Sequence, residues 1–405
     1  MPRSYEISRP VLDTLSTVSG FDLRTPDSSI PRSIAEAVSR LSLMFTREGL
    51  REGPPYLDDP TLRAGYLTYF LPVNLAKVQL LLNESAPVLG VGGNERPFRV
   101  LDVGCGPGTG LLGILDWVRR HEAGGTQAFE ATGVDCSSKA LRLCGQLLRN
   151  YRAGEGVTAA PILHLYECNI EKGLPRDLLE GNSRRPYDLI VVQNLLSEIY
   201  CDRPDAQERR AQLVGNLLTL LSPEGTLMII EPALRTVSRS LHGVRDTLLS
   251  QGQATLYSPC LHARSCPALG KDDDWCHEER PWIRPIWIQQ MDRVVGFIKD
   301  ALKFSYLILR KDGKTLVPWS PELHRVVSEL RVMKGERRVW WCDEGGRVEI
   351  GRLDRERSSS NAPFDEWHRG AIVRVSEISR KNRKGKPGTV GRIPLSGTAE
   401  IVRPA

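Results

Sequence analysis

Apolar residues recur with a helical period over residues 34–43, where Ile34, Ala35, Ala37, Val38 and Leu41 share a face, and again over 75–82. Gly53-Pro54-Pro55 separates the two stretches, and Tyr66, Tyr69 and Phe70 precede Pro72. This spacing predicts a helical region over 1–95 that caps the following domain, with the aromatics as core. Residues 90–97 read as the linker out of it. From 98 onward, short apolar runs at 98–103, 128–135, 162–168, 187–194 and 226–230 alternate with helical stretches at 111–118, 138–149 and 208–221. Such alternation predicts an α/β domain over 96–256 built on a doubly wound parallel sheet. A long basic helix at 235–250 carries Arg235, Arg239, His242 and Arg245. A Cys-rich insertion with a helix follows over 257–300. Residues 301–405 return to short β runs, at 306–309, 338–341, 347–351, 371–375 and 389–393. Asp343-Glu344-Gly345-Gly346 is a hairpin signal, so a small antiparallel sheet or barrel is expected there.

The junction between the first strand and its helix is the first stretch with chemistry. Val100-Leu101-Asp102-Val103-Gly104-Cys105-Gly106-Pro107-Gly108-Thr109-Gly110 places glycines at alternate positions after a buried strand. Gly104, Gly106 and Gly108 let the backbone turn sharply and approach a ligand without Cβ contact. The helix that follows offers free N–H groups. The spacing is neither G-x-G-x-x-G nor a phosphate loop. Asp135 ends the second strand, where a carboxylate can accept both hydroxyls of a ribose; the plainer reading is a cap for the next helix. Gly104, Gly106 and Gly108 with Asp102 resemble motif I of class I S-adenosylmethionine (SAM)-dependent methyltransferases. The resemblance implies that Asp102, Gly104, Cys105, Gly106 and Gly108 wrap the methionine part of SAM and that Asp135 holds its ribose. Asn169 falls near the adenine, and Gln193 and Asn194 lie at the exit of strand four. A tetrad for amine methylation and a cysteine loop for pyrimidine C5 chemistry are both lacking. No residue is therefore assigned a catalytic role, and enzymatic methyl transfer stays open.

Composition narrows the class. The 405 residues suffice for two or three domains, and 40% hydrophobic with 26% charged residues is ordinary for a globular protein. No apolar run approaches the ~20 residues that span a bilayer, so no membrane is expected as partner. The N-terminus lacks a signal peptide's apolar core and carries Glu6, Asp13, Asp22 and Asp27, unlike a transit peptide. A bacterial cytoplasm is the expected location.

The nine cysteines are an odd count. Cys105, Cys144 and Cys168 fall in apolar elements, whereas Cys260, Cys266 and Cys276 sit in polar, Pro-containing loops, with Cys342 far downstream. Four thiolates suit either tetrahedral zinc or a [4Fe–4S] cluster. Gaps of five and nine residues are wider than a zinc knuckle's and favour the cluster; zinc, with His262 or His277 in place of a cysteine, is the alternative.

Here the resemblance becomes more specific. E-P-A-L-R-x-x-S-R-x-L-H-x-x-R-D over 231–246, S-P-C-x-x-x-x-x-C-P-A-L over 258–269 and D-W-C-H-E over 274–278 resemble the methyltransferase-like small ribosomal subunit protein family of bacteria and mitochondria. The likeness runs over about 60–345. It implies a Rossmann-like class I methyltransferase fold, a [4Fe–4S] cluster on Cys260, Cys266, Cys276 and Cys342, and a role in small-subunit assembly and translation. The formal charge of +6 is concentrated toward the C-terminus. Arg331, Lys334, Arg337, Arg338 and then Arg380, Lys381, Arg383, Lys384 and Lys386 are the expected contacts to rRNA phosphates. Two other readings remain: an active rRNA methyltransferase, and a small-molecule methyltransferase with structural zinc. Off the ribosome a monomer is expected.

Overall fold

The computed structural model describes residues 5–25, 30–46, 56–91, 96–121, 128–151, 161–182, 185–297, 300–380 and 389–404, and the backbone at 382–383 and 386–387. The Gly53-Pro54-Pro55 break, part of the linker at 90–97, Gly124-Gly125 and most of the run 381–386 lie outside the described residues or have no described side chains.

Four helices open the chain: α1 (Arg9–Ser19), α2 (Arg32–Thr46), α3 (Pro60–Gly65) and α4 (Leu71–Leu89), with a wider turn at Tyr66–Phe70. The α/β domain follows as β1 (Phe98–Val103), α5 (Thr109–His121), β2 (Phe129–Asp135), α6 (Ser138–Asn150), β3 (Ile162–Glu167), α7 (Arg176–Asn182), β4 (Tyr187–Gln193), α8 (Ala206–Thr219), β5 (Leu221–Pro232) and α9 (Arg235–Ser250). Then come β6 (Thr255–Ser258), β7 (Glu278–Pro281), α10 (Ile286–Val295) and β8 (Ala301–Arg310). The C-terminal strands are β9 (Leu323–Val326), β10 (Arg331–Met333), β11 (Glu336–Asp343), β12 (Gly346–Leu353), β13 (Ile372–Val375), β14 (Asn382–Arg383), β15 (Lys386–Pro387), β16 (Val390–Arg392) and β17 (Ala399–Arg403).

The central sheet has the order β3-β2-β1-β4-β5-β8-β6, parallel from β3 through β5, with β8 antiparallel to both β5 and β6. Its strands are apolar on both faces, as a sheet covered by helices on both sides requires. Val100, Leu189, Met228 and Ile230 pack under α4, α5 and α6, while Leu101, Val103, Ile190, Val192 and Ile229 face α8 and α9. The strand order reverses between β1 and β4, which is where a doubly wound sheet opens a ligand crevice at the strands' C-terminal ends.

The helical cap docks on this domain through buried polar contacts. Tyr69 Oη donates to Asp292 on α10 at 2.5 Å, Trp287 Nε1 donates to Thr68 O at 2.8 Å, and Gln79 Nε2 donates to Asp116 on α5 at 2.7 Å. Among the described residues no helix is long and apolar enough to cross a membrane.

One expectation is corrected here. The strand at 306–309, placed by the sequence in the C-terminal module, is the middle of β8 and lies inside the central sheet. Its residues from Phe304 to Arg310 are all buried, and the Arg310 guanidinium donates to Thr226 Oγ1 at 2.6 Å and Glu224 O at 2.8 Å. The module proper begins at β9. Its sheet, β16-β12-β11-β9-β13-β17 with β10 on β11, closes over Val326, Val339, Trp341, Ile350, Phe364 and Trp367. The β11–β12 hairpin turns at Asp343↔Gly346 as the sequence indicated, but β16 joins β12 in parallel, so the module is mixed rather than purely antiparallel.

Candidate cofactor crevice and cysteine site

The glycine loop leaves β1 at the reversal point. Gly104, Gly106 and Gly108 have φ of +73°, +51° and +86°, the left-handed region that favours glycine. The amides of Gly104 and Cys105 both donate to Val134 O, at 2.8 and 3.0 Å, fastening the loop to β2. A Cβ on Gly108 would stand 2.6 Å from the Cys144 sulfur, whereas one on Gly106 would meet nothing within 4 Å. The crest of the loop thus faces open space.

Asp135 accepts the Gly106 amide at 2.8 Å and the Ser137 amide at 2.8 Å. Burial raises its pKa. Asp102 is buried with Oδ2 lacking any hydrogen-bond partner, and burial, then the charge of Asp135, push its pKa up to about 7. Asp102 Oδ2 packs against Gly110 at the start of α5, whereas the bare glycine crest with the Asp135 carboxylate fastened to it fits a ligand rich in donors, as a nucleoside with an ammonium-bearing arm is.

The other expected crevice residues divide. Cys105 is buried beside Cys144 and belongs to the packing beneath the loop. Asn169 spends its Oδ1 on the Glu171 amide at 2.9 Å, capping the turn after β3. Gln193 donates to Asn74 O on α4 at 2.9 Å. Asn194 adopts φ of +55° as the chain leaves β4. Three contributors escaped the sequence reading. Glu231, ending β5, accepts the amides of Leu195 and Leu196 at 3.1 and 2.8 Å and so shapes the β4 exit. Tyr56 and Tyr66 of the cap stand beside the loop; Tyr66 Oη lies 3.4 Å from Thr109 Oγ1, and burial, with smaller contributions from Glu198 and Asp135, raises the pKa of both tyrosines.

Cys260, Cys266 and Cys276 from the loops and Cys342 from β11 meet at the junction of central sheet and C-terminal module. Cys260, Cys276 and Cys342 line one cavity, with Cys266 buried beside them. Burial, then the neighbouring thiols, push Cys266 up to about 12, and burial raises Cys276 to about 11. Burial and the other three thiols raise Cys342 as well. Thiols whose ionisation is mutually opposed are the donor set that a bound cation relieves. Among the described residues no group of three His, Cys, Asp or Glu side chains is drawn together as the ligands of one ion would be. His262 Nε2 lies 4.0 Å from Cys342 Sγ, and His277 Nε2 donates to Glu279 Oε1 at 3.0 Å.

Helix α9 builds this site, and its residues Arg239, His242 and Arg245 are scaffold. Arg239 Nη1 donates to Ala268 O at 2.9 Å and Asp274 O at 2.7 Å, and also reaches Lys271 O. His242, kept neutral by burial that lowers its pKa to about 4, bonds Cys276 O at 3.0 Å. Arg245 donates to His262 O at 2.7 Å and Arg264 O at 2.8 Å, inside the loop between Cys260 and Cys266.

The expected RNA contacts are less free than their sequence implied. Arg331 pairs with Glu349, Arg337 with Asp365 at 2.5 Å, and Arg338 with Glu336 and Glu349. Lys334 and Arg380 are exposed. The side chains of Lys381, Arg383, Lys384 and Lys386 lie outside the described residues.

The sheet order, with an antiparallel strand inserted between β5 and the last strand, and a glycine loop and acidic strand end at its reversal point, define a class I methyltransferase fold. Among solved structures, the chain is similar to a putative class I SAM-dependent methyltransferase from Listeria monocytogenes, at 14% identity and a TM-score of 0.37, covering 76% of this chain and 89% of that one. It is also similar to a magnesium protoporphyrin IX methyltransferase from Synechocystis, at 11% identity and 0.31, over 69% and 97% of the two chains. Both likenesses are distant, and the strand order carries the assignment. Among curated proteins none matches in sequence. The family is settled by its profile: residues 63–356 match Rsm22, described as mitochondrial small ribosomal subunit Rsm22, and the chain belongs to that family.

Proposed function

We propose that this protein binds SAM in the crevice over Gly106, carries a [4Fe–4S] cluster on Cys260, Cys266, Cys276 and Cys342, and assists assembly of the small ribosomal subunit by binding its rRNA. The observation that carries the ribosomal reading is the family match over 63–356, which takes in the crevice and all four cysteines. For SAM, the support is the glycine crest with nothing above it and the Asp135 carboxylate bonded to the Gly106 amide. For the cluster, it is four thiols delivered by separate segments to one cavity, with gaps of five and nine residues between the first three that are wider than a zinc knuckle's. In this arrangement Asp135 holds the ribose hydroxyls, the loop amides meet the methionine part, and Tyr56 and Tyr66 exclude water. The cluster, when bound, supplies a rigid anchor for four cysteines and a one-electron couple. Pull-down of the tagged full-length protein at physiological salt tests the reading; recovery of neither small-subunit particles nor their rRNA would sink it.

A second reading, transfer of the SAM methyl group to rRNA, is favoured by the open space over Gly106. Labelled methyl should then pass from SAM to small-subunit RNA and be lost in Asp135→Ala. No transfer to any subunit substrate would exclude it.

A further inference from the structure

Two arginines stand against the four cysteines in a way that no structural role explains fully. On β11 and β12, Cys342 and Arg347 are cross-strand partners, so their side chains leave the same face of the sheet side by side. Arg347 reaches over to Asp274 and to Trp275 O at 3.4 Å, just ahead of Cys276. Arg245, fully buried on α9, is threaded into the loop that carries Cys260 and Cys266. Each keeps a buried Nε–H with no hydrogen-bond partner. A buried guanidinium N–H left unpaired is costly unless something anionic receives it.

The carboxylates that pair with these arginines lie nearer solvent. Arg245 is 0% exposed and Asp246 is 21%; Arg347 is 16% exposed and Asp274 is 31%. Water screens the outer charges more than the inner ones. The remaining charged groups at the cavity are Arg325 and Arg369, each of which also keeps an N–H without a hydrogen-bond partner but has its charge offset by the inner carboxylates Glu278 and Glu279, with Asp343 held by His324.

We propose that Arg245 and Arg347 form a cationic cage that selects a net-anionic, fully cysteine-ligated centre at this site and raises its reduction potential. This rests on the cluster reading above. A [4Fe–4S] centre with four thiolates is a dianion, and one-electron reduction adds a further negative charge without making or breaking a bond. Inward guanidinium charge and N–H donors to sulfur therefore favour the reduced form, since net charge and hydrogen bonds to the sulfurs set the potential of such centres. The Arg347 cross-strand position makes it the stronger test, because removing it leaves every carbonyl held by Arg245 and Arg239 in place.

Full-length protein is purified anaerobically, its iron and acid-labile sulfide are measured, and its midpoint potential is titrated with dithionite by electron paramagnetic resonance. Arg347→Met is expected to retain iron and titrate at a more negative potential, and Arg347→Lys to return toward the parent. Asp274→Asn, which strips the outer carboxylate, is expected to shift the potential upward, a change that a merely loosened loop does not produce. An iron-loaded Arg347→Met at the parent's potential overturns the cage while leaving the cluster reading intact. Should Arg347→Met lose its iron, Asp274→Asn decides, and an unchanged or lowered potential overturns the proposal. A parent protein without iron and sulfide overturns the cluster reading itself, and the cage with it.

Discussion

Asp135 holds the backbone amide of Gly106 at 2.8 Å, so the end of β2 fixes the crest of the glycine loop while its second oxygen is fastened to Ser137. Both the loop's shape and the acceptor for a ribose therefore depend on one carboxylate. Asp135→Ala removes a charge-assisted bond worth about 1.5–3 kcal/mol. SAM affinity measured by calorimetry should fall at least about tenfold, while Asp177→Ala, on α7 and away from the crevice, leaves it unchanged. Equal affinity in Asp135→Ala would remove Asp135 from the site.

Asp102 links the same crevice to pH. Its folded pKa, about 7, lies above that of an aspartate in an unfolded chain, so the folded protein holds a proton there that the unfolded chain releases. The sign follows: the contribution of Asp102 is fully present below about pH 4 and is lost as pH rises toward 7. In ligand-free protein, Asp102→Asn should flatten that decline, seen as a smaller fall in denaturation midpoint between pH 5 and 8. A decline as steep as the parent's would show that the carboxylate is ionised or satisfied in solution.

Arg239 predicts how the cysteine loops are assembled. One guanidinium nitrogen serves the carbonyls of Ala268 and Asp274 from either side of the segment between Cys266 and Cys276. Arg239→Ala strands these acceptors and should cost about 2 kcal/mol. The expected signature is a lower melting temperature together with reduced iron per chain, with SAM affinity little changed. Loss of SAM binding at undiminished iron content would point to a different role for α9.

Much of this was legible along the chain because the period of apolar residues changes from helical to short, fully apolar runs at residue 98. The glycine loop was legible too, since only glycine tolerates its three left-handed positions. What escaped notice depends on contacts remote in sequence. Nothing local distinguishes Phe304–Arg310 as a central strand; that emerges only from its pairing with β5, some 80 residues earlier. Glu231 stood in a visible motif, but its partners Leu195 and Leu196 lie 36 and 35 residues away. The basic residues of α9 were visible only as a charged helix, because the partners of Arg239, His242 and Arg245 are backbone carbonyls, which carry no sequence signature. The ion pairs of Arg331, Arg337 and Arg338 were hidden as well, because Glu349 and Asp365 reach them only through strand pairing and the fold of the module.

The four cysteines give the sharpest test, because the protein supplies its own controls. Cys342 lies on β11 of the C-terminal module, whereas Cys260, Cys266 and Cys276 lie in the segment between β6 and β7 of the central sheet. A centre bound to all four ties the two bodies together, and removing one ligand releases that tie as well as weakening the centre. Cys342→Ser should lose most of its iron and sulfide and melt at least about 5 °C lower, since a lost kilocalorie per mole moves the midpoint by a few degrees in a domain of this size. Cys201→Ser changes an exposed thiol remote from the four cysteines, which bonds Ser197 O at 3.3 Å and Ile199 O at 3.8 Å and accepts from Arg210 at 3.8 Å, and should keep both metal and midpoint. The comparison separates ligand loss from general damage by serine. If Cys342→Ser retains its iron and melts with the parent, the fourth ligand is another group, and His262, 4.0 Å from the Cys342 sulfur, becomes the candidate.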